Sequence, residues 1–244
     1  MARLGGDMQV SPQELMTQSS IQMATLGSRA TTGDGRVFRY VKVGGTALVP
    51  GKLYQGAAET TGWENLAAAV MAIGDLSFTI TSTITATLNQ MAGGFATITT
   101  STGAGYTYKI KGNTAATGAV CTVYLEDPIQ LASAAATTKI DIVESAFADV
   151  VISAGSGSGP TANLAGVAIY PVAATYYGWV QVGGPVGVLA DGGITVGAVC
   201  VASNGTAGAV EIGTNASTEA QPYVGHALTG IDTAQYGMVY LNIS

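Results

Sequence analysis

The segment from Phe78 to Leu88 alternates between two kinds of residue, and this pattern limits what the chain can fold into. One set of alternate positions consists of Phe78, Ile80, Ser82, Ile84, Ala86 and Leu88, and every position between them is threonine. A period of two places successive side chains on opposite faces of a strand, whereas a helix needs a period near 3.6. The sequence therefore predicts a β-strand with one packed face and one threonine face.

Further short runs of β-branched and aromatic residues occur along the chain, bounded by glycine, asparagine and proline. They predict strands over 95–100, 106–111, 119–125, 140–143, 150–153, 166–170, 176–182, 193–202, 207–212, 223–228 and 237–243. Asn204-Gly205, between two of these runs, is typical of a hairpin turn. The predicted fold is all-β, with short antiparallel strands in one or two units of sandwich or barrel type.

Two segments have helical features instead. Ser11-Pro12-Gln13-Glu14 has the form of a capping box with proline at the first helical position, and Gly27 is a possible helix end. The apolar residues that follow form an incomplete stripe, which predicts a short helix or an extended arm lying on a neighbour. A second helix is predicted from Thr61 to Ile73, because a capping pattern precedes a run of alanine, while the strand pattern that follows leaves an extended conformation as the alternative.

The glycine- and serine-rich residues 153–163 are typical of a flexible linker. They divide the chain into four predicted parts. These are an N-terminal arm (1–33), a β-rich unit with a threonine-rich middle segment (34–152), the linker (153–163) and a C-terminal β unit (164–244).

An internal similarity gives a second interpretation of the chain's organisation. Arg39–Gly45 and Gly178–Gly184 share the order aromatic-Val-polar-Val-Gly-Gly. Each leads into an apolar strand with an internal glycine turn, at Leu48–Tyr54 and Ile194–Val201. If the two segments belong to related β units, residues near 64 to 150 form an insertion or a separate lobe.

Charged residues are scarce, at 10% of the 244-residue chain, against about 25% in ordinary globular domains. Two tracts, 76–108 and 150–190, contain none. Neither tract is expected to span a membrane, because threonine, serine, glycine and proline interrupt them. The N-terminus lacks the apolar core of a signal peptide, so synthesis in a cytoplasm is expected. We expect the two tracts to contact other subunits.

The few charges that are present bear on possible partners. The net charge of −6 argues against nucleic acid, which requires a basic surface. Five of the nine cations lie between residues 29 and 52, and Arg29, Arg36, Arg39 and Lys42 are candidate contacts for an acidic partner. A solvated strand face explains them equally well.

Aromatic residues are concentrated in the C-terminal third of the chain. Tyr and Trp are enriched at protein interfaces, so Tyr176, Tyr177 and Trp179 are candidate interface residues. Tyr176 and Tyr177 are adjacent and must point to opposite faces of a strand. Positions in the protein core are an equally good interpretation of these aromatic residues.

No catalytic, metal or cofactor site is predicted. Cys121 and Cys200 lie in strand-like runs, where reduced and buried thiols are expected. The single histidine, His226, lies in an alternating run without a nucleophile motif. A zinc site or a Ser-His-Asp triad needs a larger set of such residues, so the chain is not expected to be an enzyme.

Several strand and turn segments carry a resemblance to a known class of protein. They are Gly93-Gly94, Tyr106–Ala115, Val123–Pro128, Gly166–Ala168, Tyr177–Gln181, Val224–Leu228 and Tyr236–Leu241. In this order they resemble virion structural proteins of tailed bacteriophages, some of which are capsid decoration, or cement, proteins. The resemblance covers about residues 34 to 244 and consists of strand and turn residues rather than catalytic motifs.

The resemblance implies a non-enzymatic protein that binds the outer surface of an assembled phage capsid and stabilises the shell. It implies a homotrimer in the virion, with the major capsid protein as partner, and no cofactor, nucleic acid or membrane. By analogy, residues 1–33 are the arm that reaches the capsid or a neighbouring subunit. The alternative is a tail or fibre component involved in attachment to the host surface, for which glycine- and threonine-rich β units are also suitable.

Overall fold

The computed structural model describes residues 8–133, 137–155, 157, 159–213 and 221–243, and its regular structure is almost entirely β. The helix α1 spans Pro12–Leu15. The strands are β1 (Met8–Gln9), β2 (Arg29–Thr31), β3 (Val37–Lys42), β4 (Leu53–Gln55), β5 (Leu66–Ala67), β6 (Ser77–Ala86), β7 (Phe95–Thr100), β8 (Thr107–Asn113), β9 (Ala116–Leu125), β10 (Lys139–Val143), β11 (Val151–Ile152), β12 (Leu164–Ala168), β13 (Tyr177–Leu189), β14 (Val199–Ala202), β15 (Val210–Ile212), β16 (Tyr223–Ala227) and β17 (Tyr236–Asn242). The predicted all-β fold is confirmed.

The chain forms two compact units. Unit 1 comprises Met1–Ala58 and Ala146–Ser244, and unit 2 comprises Glu59–Ser145. Unit 2 nearly coincides with residues 64–150, the segment that the internal similarity separated from the rest.

The predicted division at residues 153–163 does not match these two units. Strands from both sides of unit 2 pair in one sheet, since β11 and β12 pair with β4, and β13 pairs with β3. The buried Gln55 also binds the expected linker: its Nε2 donates to Thr161 Oγ1, and its Oε1 accepts from the N–H groups of Ala154 and Thr161. The described residues of 153–163 are therefore fixed parts of unit 1.

Unit 2 is a six-stranded, nearly closed barrel-like sheet in the order β5-β10-β7-β8-β9-β6. A bridge between Ala68 and Ile80 brings its two end strands together. In β6, Phe78, Ile80, Ile84 and Ala86 are buried in the core of the unit, and the threonines between them lie on the outer face. The alternation from which the fold was predicted is therefore the pattern of a half-buried strand.

The helix predicted from Thr61 to Ile73 is wrong. The segment is extended and contains β5. The N–H of Ala67 donates to Ser82 Oγ, and the N–H of Ala69 donates to the carbonyl of Thr79, so β6 supplies the hydrogen bonds that a helix would have made internally. The extended conformation also buries Trp63, which is 2% exposed.

Unit 1 contains an eleven-stranded sheet in which β1-β2-β3-β13-β17-β16-β14-β15 form a continuous path. The two similar segments found in the sequence are direct neighbours, because β3 and β13 pair antiparallel with Tyr40 opposite Trp179. Buried, mostly aliphatic side chains form clusters on both faces of this sheet, one that includes Val41 and Val180 and another that includes Val188 and Val239.

Four turns of unit 1, at 49–52, 173–176, 195–198 and 232–235, share one conformation and each follow an aliphatic residue that forms an isolated β-bridge. In each copy the N–H of the fourth residue donates to the carbonyl of the first. The third residue always has a positive φ: 77° at Gly51, 67° at Thr175, 78° at Gly197 and 60° at Ala234.

These turns are arranged as two pairs. The aliphatic residue before each turn bridges to its counterpart, Leu48 to Val172 and Ile194 to Ile231. The glycine turns predicted within 48–54 and 194–201 are thus two members of a set of four.

The expected N-terminal arm requires correction for residues 8–33. The capping box is present, because Ser11 Oγ accepts from the N–H of Glu14 and the Glu14 carboxylate accepts from the N–H of Ser11, but α1 has only four residues. Leu15 is 1% exposed and packs in a cluster with Tyr40 and Trp179. Because these aromatic side chains offer an apolar surface, the segment lies on its own chain. Among the described residues, the helix is also too short to cross a membrane.

Candidate interaction surface

Two of the four candidate cations, Arg29 and Arg39, lie opposite each other on β2 and β3. Arg39 Nη1 donates to the carbonyl of Gly27 at 3.0 Å, and the guanidinium lies over the ring of Phe147, 5.7 Å from its centroid. Arg39 is therefore held by groups of its own unit.

The other two cations form ion pairs. Arg36 Nε lies 2.8 Å from Asp34 Oδ2, and its guanidinium lies 5.7 Å from the centroid of the Phe38 ring. Lys42 Nζ lies 2.9 Å from Asp149 Oδ1. Since these carboxylates offset part of the positive charge, attraction of an acidic partner by this cluster stays a prediction.

The candidate aromatic residues divide between core and surface. Trp179 is 8% exposed and meets Tyr40 edge to face, with ring centroids 5.0 Å apart. Tyr177 stacks on Tyr40, with ring centroids 6.1 Å apart. Tyr176, outside the strand, is 36% exposed and is the one of the three that keeps a large accessible surface.

The bulge in β13 changes which of its side chains are exposed. Before it, residues of the N-terminal segment pack on Phe38, Tyr40 and Trp179. At the bulge the register moves by one residue, since Gln181 pairs with Phe38 and Gly183 pairs with Val37, so the exposed side chains of β13 and β17 beyond it lie on the opposite face of the sheet. The described residues leave this part of the second face open.

We call this open part the uncharged face. It consists of Pro185, Gly187, Val199, Tyr223, His226, Leu228, Tyr236, Met238 and Tyr240. Strand register aligns Pro185, Tyr240, His226 and Val199 in one row across β13, β17, β16 and β14. No Asp, Glu, Lys or Arg belongs to the set.

The side chains of the uncharged face are large and accessible. Tyr236 is 55% exposed, Tyr240 51% and Met238 44%. Tyr223 Oη and His226 Nδ1 lie 2.8 Å apart, with their rings edge to face, so the imidazole is held by a phenol on the same face. Such a cluster of half-exposed aromatic and apolar groups is typical of a surface that binds another macromolecule.

A charged group borders this face on its outermost strand. Glu211 of β15 lies opposite Val201 of β14, which places it beside the uncharged residues. Partial burial raises the pKa of the Glu211 carboxyl above its ordinary value, and a hydrogen bond from the backbone of Asn204 opposes part of this effect. The edge of the face is therefore a poor environment for negative charge.

A cleft of about 640 Å³ opens at the edge of the face, with Tyr236 and Met238 on one side and the Asp34–Arg36 ion pair on another. Gln181 lines it and is fully buried. Its Nε2 donates to the carbonyls of Gly183 and Pro185, both at 3.0 Å, which fixes the orientation of the amide. The amide oxygen Oε1 is then left without a donor among the described residues.

Potential metal ligands are scattered over the part of the chain that the structure describes. They contain no group of three or more His, Cys, Asp or Glu side chains arranged to hold a metal ion. The Ser203 hydroxyl donates to Asp191 and accepts from the N–H groups of Gly205 and Thr206, so it organises the loop after β14. This loop contains the predicted Asn204-Gly205 turn and joins the paired strands β14 and β15.

Comparison with known proteins finds no relative for this chain: no family model, curated protein or solved structure matches it.

The residues of the uncharged face could be predicted only in part from the sequence. The charge-free tract 150–190 contributes Pro185 and Gly187, whereas the remaining seven residues lie outside it. The alternation of Tyr236, Met238 and Tyr240 is the signal that could have identified its centre. The row across four strands depends on register, which local sequence does not specify.

Proposed function

We propose that this protein is a structural component of a tailed-phage virion, which binds the outside of the assembled capsid as a trimer and stabilises the shell. The observation that carries the proposal is the uncharged face, a broad aromatic surface on a β-sheet that the described residues leave open. Such a surface suits permanent contact with other subunits. The identity of the partner, the major capsid protein, follows from the resemblance of the strand and turn segments alone.

The fold and the charge distribution also support a binding role. The described residues form β-sheets with buried apolar clusters, a scaffold that presents extended ordered surfaces. The net charge of −6 disfavours contact with packaged DNA. A shell protein needs these properties and needs no catalytic group.

The proposed mechanism is thermodynamic linkage. A protein that binds the expanded capsid lattice, but not its dissociated subunits, lowers the free energy of the lattice each time it binds. The gain is about 2.7 kcal/mol per site when the free protein is at 100 times its Kd. Repeated over many sites, this opposes the internal pressure of packaged DNA.

Reconstitution on phage heads tests the proposal. Purified protein is added to expanded heads that lack it, and binding is measured by co-sedimentation and by heat-induced release of DNA. We expect saturable binding to expanded heads and a higher temperature of DNA release. Unexpanded procapsids serve as the control lattice and should bind much less.

Copy number separates the proposal from its alternative. Quantitative mass spectrometry of intact virions should give a number comparable to that of the capsid lattice positions. A few copies per particle, together with no binding to heads, would overturn the proposal and favour the tail or fibre alternative.

A further inference from the structure

We propose that unit 1 contains a binding site for a small organic cation of the quaternary ammonium type. The site is a cavity of about 290 Å³ between the N-terminal segment and the aromatic side chains of Tyr40, Tyr177 and Trp179. All the described residues that line it belong to unit 1. The inference goes beyond the proposed function and does not depend on it, because the site is tested on the purified protein.

Strand register sets the aromatic wall of the cavity. Tyr40 of β3 lies directly opposite Trp179 of β13, and Tyr177 lies two residues before Trp179, so the three side chains lie on one face of the sheet. The ring centroid of Tyr40 is 5.0 Å from that of Trp179 and 6.1 Å from that of Tyr177. The face of an aromatic ring attracts a cation within about 6 Å of its centroid. Three neighbouring rings therefore offer one cation several partners.

The N-terminal segment forms the other wall, which is mainly apolar and carries one ionised group. Met8, Val10 and Met23 line this wall, and Glu14 is the only Asp, Glu, Lys or Arg among the described lining residues. A hydrogen bond from the backbone N–H of Ser11, followed by one from its hydroxyl, lowers the pKa of the Glu14 carboxyl. The ion pairs between described residues all involve other carboxylates. The cavity thus has a negative charge that no described cation neutralises.

This combination of groups favours a quaternary ammonium over other ligands. The Glu14 carboxylate disfavours an anion. A primary ammonium has three N–H donors that need acceptors, but Gln18 and Ser19 in the lining already accept hydrogen bonds from the backbone N–H groups of Ala173 and Ile21. A quaternary ammonium has no N–H group, and aromatic cages are the usual means by which proteins recognise it.

The size and order of the cavity suit a small ligand. Pockets for drug-sized molecules have volumes of about 300 to 1,000 Å³, so 290 Å³ lies near the lower limit and fits a trimethylammonium group on a short chain. Tyr40 and Trp179 are 4% and 8% exposed, and Tyr40 Oη accepts a hydrogen bond of 3.0 Å from the N–H of Met23. The rings are therefore held in place by packing before a ligand binds, which lowers the cost of binding.

Calorimetric titration with choline tests the proposal. Choline carries a trimethylammonium group on a short chain, and in its uncharged analogue a carbon atom replaces the nitrogen. We expect choline to bind with a Kd on the order of 1 mM. The analogue should bind about 10-fold more weakly, because it loses the attraction to the rings and to the carboxylate. Methylammonium, a primary ammonium, should also bind about 10-fold more weakly, because it is strongly hydrated and finds few free acceptors.

Substitutions locate the binding within the molecule. Glu14→Gln removes the charge but preserves the capping box, since glutamine also serves at this position, and should weaken choline binding about 2- to 5-fold. Tyr177→Leu removes one ring and should weaken binding about 3- to 30-fold, whereas Tyr177→Phe keeps the ring and should bind normally. The matched control is Tyr176→Leu, because Tyr176 is adjacent in sequence but lies outside the cavity lining. Circular dichroism checks that each variant is folded.

The outcomes are distinct. Saturable choline binding that weakens in folded Glu14→Gln and Tyr177→Leu, but not in Tyr176→Leu, supports the proposal. It is overturned by a lack of binding at about ten times the expected Kd, by equal binding of the uncharged analogue, or by an unchanged Kd in either folded variant. If Tyr177→Leu does not fold, Glu14→Gln and the analogue decide. Failure of this site leaves the proposed function intact, since that is tested on phage heads.

Discussion

Thr175 and Gly197 occupy the same position in two copies of one turn, with φ values of 67° and 78°. Left-handed backbone costs glycine nothing, but a β-branched side chain is strained there. Thr175 is exposed at the turn, so its side chain has little packing to offset this strain. Of the four turns that follow bridged aliphatic residues, two therefore have a residue other than glycine at the strained position, Thr175 and Ala234.

Replacing Thr175 with glycine should stabilise the protein. Removing the left-handed strain should raise the free energy of unfolding by about 1 to 2 kcal/mol. The greater freedom of glycine in the unfolded chain should lower it by about 0.5 to 1 kcal/mol. We expect a net gain of about 0.5 to 1 kcal/mol in the free energy of unfolding, measured by urea denaturation. The neighbouring control, Ala174→Gly, lacks the positive φ and should destabilise; a gain in both variants would refute the explanation.

Shortening Leu15 should loosen the N-terminal segment. This side chain is 1% exposed and packs with Tyr40 and Trp179, so Leu15→Ala leaves a cavity that costs about 2 to 5 kcal/mol. Met16→Ala, at a position 52% exposed, should change stability by less than about 0.5 kcal/mol. Thermal unfolding and amide hydrogen exchange over residues 8–31 measure the difference, and equal effects of the two substitutions would contradict the packing described.

The Cys200 thiol should be inert in the folded protein. Burial raises its pKa to about 11, although a backbone hydrogen bond from Ala227 opposes this. At pH 8 the thiolate fraction is so small that alkylation should be more than about 100-fold slower than for a free thiol. Iodoacetamide labelling followed by mass spectrometry should modify Cys200 only after unfolding in urea, and rapid labelling of the native protein would exclude a buried thiol.

Asp34 should make stability depend on pH at the acid end. A hydrogen bond from the Thr32 hydroxyl, followed by one from the Arg36 N–H, lowers the pKa of this carboxyl from 3.8 to about 2. A lowered folded-state pKa stabilises the protein above pH 3.8, and that contribution is lost as the pH falls through about 2. Asp34→Asn should therefore lower the melting temperature slightly at neutral pH and not at all near pH 1.

The control for this effect is Asp127→Asn at another exposed position. The difference in melting temperature between the unchanged protein and Asp34→Asn should shrink between pH 4 and pH 2. A difference that is constant over this range would show that Asp34 acts through something other than its charge.

The sequence predicted those features that depend on neighbouring residues. The alternation in β6 and the capping box at Ser11 were correct because each involves side chains a few residues apart. The helix prediction over 61–73 was wrong. Its alanine run favours a helix locally, but β6, which follows in the sequence, supplies hydrogen bonds that stabilise the extended conformation. Long-range pairing outweighed local preference there.

The candidate surface was harder to predict for the same reason. The prediction ended one strand at Val182, before Gly183-Gly184-Pro185, whereas β13 continues through a bulge to Leu189. That continuation places Pro185 opposite Tyr240. A row assembled from four strands is fixed by their register, and no single segment of the sequence contains it.

The two ends of unit 2 leave and rejoin unit 1 at adjacent points, and this bears on how the protein can be modified. Gly56 approaches Ala146 so closely that a Cβ at position 56 would lie 3.1 Å from the Ala146 Cα. The residues of unit 1 on either side of the segment 57–145 therefore lie next to each other. A short loop joining these two points would preserve the connectivity of the larger sheet, so the position of unit 2 is a natural place to graft a foreign domain for display.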